Sequence, residues 1–249
     1  MTDQQNRPEI PAPQGRQPIF LLPPVVTVLC GLLVAVHLAR TFVLNEDADL
    51  QFTVWFAFIP LRLLSGEEIP GGWLPLIWTP FTHAFLHAGW DHLLLNTAWL
   101  AIFATPVARR YGAAATVLVF LVGAVVGAVA FAATTLPDLQ ILIGASGGVA
   151  AFTGAAVRFI FQPVMVARHP ETGETIVLGR KLASLGEVMR HPSSRYFVLI
   201  WVVLNAAIPL LPLLTGDRLE IAWQAHLGGF LAGLLLVPLF ERRPKGESK

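Results

Sequence analysis

Apolar stretches poor in charge alternate with polar connections along this chain, and the stretches are long. A membrane span needs about 20 mostly apolar residues. The pattern predicts six such helices: Pro24 to Leu44, His92 to Ala108, Ala113 to Thr135, Ala145 to Phe161, Tyr196 to Leu214 and Ala222 to Phe240. The first run is too long for the apolar core of a signal peptide and lacks a clear small-residue cleavage site, so it reads as a retained helix. The segment before it, residues 1–23, is rich in Gln, Pro and Arg and reads as a flexible cytoplasmic tail. The fold class expected is an all-α membrane protein with a six-helix membrane domain over residues 24–240. That domain includes a cytoplasmic loop at 162–195, and a short cytoplasmic tail at 241–249 follows it.

Composition supports this division. The 249 residues are 55% hydrophobic and 13% charged, against about 25% charged in an average soluble domain. Seventeen basic and 16 acidic residues nearly cancel, and no basic patch is interleaved with aromatics, so nucleic acid is not an expected partner. The sole cysteine, Cys30, lies in an apolar run and has no internal partner for a disulfide. Most Lys and Arg fall in the first tail, the second-to-third connection, the 162–195 loop and the end of the chain. The other three connections hold only Arg40, Arg62 and Arg218. The excess of basic residues marks cytoplasmic loops. Both termini are therefore expected in the cytoplasm, with the second, fourth and sixth helices starting at the outer face.

The connection from Arg40 to Thr82 is expected outside. It holds Trp55, Phe56, Phe58, Trp73 and Trp78 among four prolines. Aromatics of this kind suit the headgroup layer, so the segment is either a surface loop or a loop partly embedded in the outer leaflet. The 162–195 connection is polar, and its His169 and His191 read as solvated.

Polar side chains at membrane depth are costly and usually functional. No Asp or Glu falls in the interior of any of the six runs, which argues against paired-carboxylate proteolysis and weakens an ion-coupled transporter. Ser146 sits in Gly144-Ala-Ser-Gly147-Gly148 at the start of the fourth helix. A serine hydroxyl is a weak nucleophile until a base takes its proton, and the free N–H groups of a helix start favour a developing oxyanion. Packing through the small residues Ser146, Ala150 and Gly154 explains the same motif. His226 opens the sixth helix, with Gly229 and Gly233 on its own face. That small-residue face invites the Ser146 helix, which would bring hydroxyl and imidazole together. A histidine satisfied by a backbone carbonyl is the alternative. His92 and Asn96, four apart on the second helix, offer two donors suited to an oxyanion. His83, His87 and His92 lack the further ligands of a clear metal pattern, and no metal is expected. His37 and Asn205 stand alone within their runs and read as structural hydrogen-bonding residues.

In this order, His83-Ala-Phe-Leu-His87-Ala-Gly-Trp-Asp-His92-Leu-Leu-Leu-Asn96, Gly144-Ala-Ser146-Gly147 and Ala225-His226-Leu-Gly-Gly229 with Gly233 resemble the rhomboid family of intramembrane serine proteases. The resemblance extends over nearly all the membrane part. It implies a Ser–His dyad without a third carboxylate, with Ser146 as nucleophile and His226 as general base. It also implies an oxyanion hole of His92, Asn96 and the Ser146 N–H. His87, Gly144, Gly147, Gly229 and Gly233 are the expected supporting residues. The implied activity is cleavage of transmembrane segments of other proteins near the outer face, without a cofactor. The implied location is the cell (inner) membrane, multi-pass, with the site open to the extracytoplasmic side. Non-proteolytic relatives typically lack the serine or the histidine, and both are present here.

Three positions depart from the family pattern. Ala150 stands where many members carry an aromatic stacked on the catalytic histidine, and Phe152 or Phe230 is the candidate substitute. Trp78-Thr79 stands for Trp-Arg in the outer loop. Ala104, Ala108 and Gly112 replace a glycine-flanked glutamate, so the hydrogen-bond network of that glutamate is expected to be missing.

Overall fold

The structure is a computed structural model that describes residues 22–168, 173, 175–210 and 221–241. The expected tail at 1–23 therefore falls almost wholly outside the described residues, as do His169, the expected helix end at 211–214 and most of 241–249. Nine α-helices are described: α1 (Pro24–Phe42), α2 (Glu46–Phe56), α3 (Arg62–Ser65), α4 (Thr79–Thr82), α5 (Trp90–Thr135), α6 (Ser146–Val157), α7 (Leu185–Arg190), α8 (Pro192–Ala207) and α9 (Trp223–Leu236). A two-stranded hairpin, β1 (Val164–Arg168) and β2 (Thr175–Arg180), lies between α6 and α7. Among the described residues, Pro24–Phe42, Trp90–Thr135 and Trp223–Phe240 are long and apolar enough to cross a membrane.

The 46 residues of α5 would make a rod of about 69 Å if straight, more than twice a hydrocarbon core of about 30 Å. The rod is broken at Gly112, whose φ of 82° and ψ of −179° leave helical geometry. Packing shows that the chain doubles back there. His92 lies against Gly144, and Gly127 near the far end of α5 lies against Ala225. Tyr111, beside the break, packs on Phe159 and Phe240 at the opposite end of the bundle. The second and third expected helices thus meet directly at a single glycine instead of across a loop.

The 12-residue α6 is about 18 Å long. Every residue from Gly147 to Val157 is buried, so α6 is the central helix of the bundle. The first half of α5, α6 and α9 all run in the same direction, because contacts advance along each pair in step. A β-carbon on Gly229 would stand 2.0 Å from the Gly147 carbonyl oxygen, and one on Gly233 would stand 1.8 Å from that of Ala151. The seam between α6 and α9 is therefore backbone on backbone. Of the expected stripe, Gly154 lies in this seam, where a β-carbon would stand 2.1 Å from the Phe230 carbonyl oxygen, and Ala150 packs with Phe230 and Trp201; the α9 glycines themselves meet Gly147 and Ala151.

The connection from Arg40 to Thr82 is folded. Asn45 caps α2 by accepting the Ala48 N–H at 2.9 Å, and Glu46, Asp47 and Asp49 fill the first turn, where acidic groups suit the helix dipole. Arg62 is fully buried. It donates to the carbonyls of Val54, Pro70 and Gly72 at 2.7–2.9 Å. The Trp78 indole donates to the Trp55 carbonyl at 2.8 Å, and the two rings stack.

The 162–195 connection is not helical throughout. It carries the β1–β2 hairpin, paired antiparallel from Val164↔Arg180 to Arg168↔Thr175, and α7 with a Ser184–Glu187 capping box. The all-α expectation is corrected to this extent, and the reason is local. Val164-Met-Val and Thr175-Ile-Val are β-branched runs on either side of a turn-rich segment. A network also stands at the turn of α5, where none was expected. Arg110 and Tyr111 both donate to Glu241 (2.8 and 2.7 Å), and Arg110 reaches the Arg180 carbonyl at 2.6 Å.

Candidate active site

The segment that leads into α6 is held by the folded connection on three successive rungs. Phe58 and Leu142 exchange both backbone hydrogen bonds, at 3.1 and 2.9 Å. The Gly144 N–H donates to the His83 carbonyl at 2.9 Å. The Ala145 N–H donates to His87 Nε2 at 3.5 Å, the long end of the range. Burial pushes His87 down to about 3 and His83 down to about 4, so both imidazoles are neutral near pH 7. His87 must be neutral to accept from Ala145, and its protonated Nδ1 is buried without a partner.

Ser146 follows as the first residue of α6, half-buried, with no side chain capping the helix start. Because α6 is short and enclosed by its neighbours, this start is partly covered, and Gly147, the next residue, is already buried. Gly144 has φ of +119°, and a β-carbon there would lie 2.7 Å from His92 Cε1 and Nε2. Only glycine combines that backbone with that clearance, and the result is that the His92 ring lies against the turn just before Ser146. His87 and His92 meet edge to face at 5.0 Å. Buried Asn96, one turn below, donates from Nδ2 to the His92 carbonyl at 2.9 Å. Its amide keeps a second N–H in reserve.

His226 enters from α9. The residues that flank the pair are in van der Waals contact: Gly147 lies against Ala225, and Gly229 against Gly147. The expected site residues Ser146, His226, His92 and Asn96, with supporting His87, Gly144, Gly147 and Gly229, thus collect at one end of α5, α6 and α9, while Gly233 lies farther along the seam, against Ala151. Among the described residues the Ser146 hydroxyl is not hydrogen-bonded to His226. The imidazole's bond runs instead from Nδ1 to Asn205 Oδ1 at 2.8 Å.

That partner is the residue sequence reasoning missed as part of the site. Asn205 read as a lone structural amide. Its position four residues after Trp201, on a helix antiparallel to α9, is what brings it to His226. Neither candidate ring stands in for the aromatic absent at Ala150. Phe152 stacks on Phe120, and Phe230 stacks on Trp201 at 4.3 Å. Of the other histidines, His83 donates to the Thr79 carbonyl and His37 meets Trp90 edge to face. Neither joins Ser146. Among the described residues no three His, Cys, Asp or Glu side chains converge as a metal site would require.

Comparison with known proteins agrees on one family. A family profile described as the Rhomboid domain matches residues 75–243. The match begins after α1 and α2, a narrower reach than the sequence resemblance implied. Rhomboid-related protein 3 of Homo sapiens is 37% identical over 81 residues, which is 32% of this chain and 19% of that protein. This chain therefore aligns with about a fifth of that relative's length.

Proposed function

We propose, from the premise that this chain belongs to the rhomboid family, that it is an intramembrane serine endopeptidase. Ser146 is the nucleophile and His226 the general base. The substrates are transmembrane segments of other proteins in the same bilayer, cut near the outer face of a cell membrane. The chain crosses that membrane six times as one domain, with its termini in the cytoplasm. The observation that carries the reading is the convergence of Ser146, His226, His92 and Asn96 at one end of three parallel helices, around the half-buried start of α6.

The chemistry follows from the groups. A carbonyl within a helix is hydrogen-bonded and sterically covered, so the substrate must unwind locally, which residues of low helix propensity make cheaper. The Ser146 oxygen adds to the exposed carbonyl carbon while His226 Nε2 takes the hydroxyl proton. The oxyanion gathers donors from the Ser146 N–H, the His92 ring and the second N–H of Asn96. Collapse expels the amine, which receives the proton from His226. Water, activated by the same imidazole, then hydrolyses the acyl-enzyme. Backbone polar groups at the α6 start and the imidazoles line a recess that water can wet.

The test uses the reconstituted full chain, a transmembrane model substrate and a fluorophosphonate probe. The parent cleaves and is labelled, and both activities vanish in Ser146→Ala. Cleavage that persists in Ser146→Ala overturns the assignment. In a Cys30→Ala background, a membrane-impermeant thiol reagent added outside labels Ser146→Cys; labelling only from the cytoplasmic side overturns the orientation.

A further inference from the structure

We propose that Asn205 is the positioning residue for the catalytic base: it fixes the tautomer and direction of His226 in place of a ring stacked on it. The proposal rests on the proteolytic reading of the site.

The amide cannot face either way. Its Nδ2 donates to the Trp201 carbonyl at 2.8 Å, and a carbonyl accepts only from N–H. That bond commits the amide oxygen to the opposite side, where it meets His226 Nδ1 at 2.8 Å. An oxygen acceptor requires a hydrogen on Nδ1. The Nε2 lone pair is then left free, and it is the pair a general base needs. The hydrogen bond that one ring nitrogen makes thereby sets the state of the other.

The helices supply the alignment. Trp201 stacks on Phe230 at 4.3 Å and 18°. Trp201 and Asn205 are four apart on α8, and Phe230 and His226 are four apart on α9. Two layers of an antiparallel pair therefore lock one register, an aromatic layer below and a polar layer above. Ala150 leaves the α6 side of His226 without a ring, and among the described residues no aromatic stacks on the imidazole. Orientation comes from α8 by hydrogen bond.

Four proteins decide the matter: parent, Asn205→Leu, Asn205→Asp and Ser146→Ala. Each is reconstituted and assayed for kcat and KM on the transmembrane model substrate, for fluorophosphonate labelling rate and for thermal melting. Leucine keeps the bulk and removes the acceptor; aspartate keeps an acceptor at the same reach. Asn205→Leu is expected to lower kcat about 10- to 100-fold, with KM within about twofold and labelling slowed in step, while it melts like the parent. Asn205→Asp recovers most of that loss. A Leu variant within about twofold of the parent in kcat overturns the proposal, and so does an Asp variant as impaired as Leu at equal melting.

A readout free of turnover comes from 15N-histidine NMR, with the His226 signals assigned by their absence from His226→Gln. The parent shows a proton on Nδ1, and Asn205→Leu loses that fixed pattern. A proton on Nε2 in the parent overturns the proposal even if the Asp variant does not fold. Cleavage surviving in Ser146→Ala instead overturns the reading of the site, whatever Asn205 does.

Discussion

His87 has no part in the proposed bond-making steps, yet it carries a bond to the turn that leads into Ser146. Its Nε2 accepts from Ala145, next to Ser146, and burial holds it at about 3 in the fold, against about 6.5 when exposed. The unfolded chain therefore binds this proton more readily, so stability falls as pH drops from about 6.5 toward 3. Thermal melting of the parent should decline across that window, and His87→Gln should show a shallower decline; equal slopes would remove His87 from the account. In the proposed mechanism Asn96 acts in the transition state. Asn96→Ala should cost about 2.7–4 kcal/mol of transition-state stabilisation if its second N–H serves the oxyanion, read as a fall in kcat at unchanged melting. At this scale the sequence singled out Ser146, His92, Asn96 and His226 as polar groups at membrane depth, and the family resemblance supplied the roles proposed for them. The sequence marked Asn205 as a structural hydrogen-bonding residue but not its bond to His226, because an amide's partner depends on how two distant helices cross.

The elements are held in register by what is missing from them. A β-carbon on Gly233 would stand 1.8 Å from the Ala151 carbonyl oxygen, and the obstacle is main chain that cannot rotate aside. Gly233→Ala must push α6 and α9 apart and should destabilise by at least about 1–3 kcal/mol. It should also lower cleavage more than tenfold, since the same seam sets the distance from Ser146 to His226. A variant with parent-like melting and turnover would refute that coupling. The small-residue faces were legible from their helical spacing, and Gly154 does lie in the seam, but spacing did not show that Gly229 and Gly233 meet Gly147 and Ala151. Spacing names a face, and only packing decides which residues of it touch. Short elements were legible in principle and overlooked: Asn45 before Glu46-Asp47 announces α2, and Ser184 with Glu187 announces α7. Both lay in polar stretches read simply as connections.

For the molecule as a whole, the folded connection between α1 and α5 is the brace of the site. Arg62 is its hub, a fully buried guanidinium serving three backbone carbonyls. Arg62→Leu strands those acceptors, and a lost bond to a charged donor costs more than a neutral one. The variant should lose about 3 kcal/mol or more of stability, and the Ser146 turn should become more open to hydrogen exchange at Leu142 and Gly144. Unchanged exchange there would separate the connection from the site. Hydropathy marked the apolar runs that form α1, the two halves of α5, α6, α8 and α9, and their alternation matches the common direction of the three helices that carry the candidate site residues. The inner fold of this connection was not, because its bonds run from side chains to carbonyls that leave no sequence signature.

The seam of α6 and α9 has a consequence for how this protein can change. Where backbone meets backbone, no side chain exists whose replacement could compensate for a neighbour's, so substitutions there cannot be bought back singly. The outward positions of α8, such as Ile200, Val203 and Leu204, are exposed and have no such constraint. A library that samples every residue should therefore be nearly bare along Gly147, Ala151, Gly229 and Gly233 and well populated along the outer face of α8. Variation in what the protein accepts has room to accumulate on one side of the bundle, while the frame of its chemistry stays fixed on the other.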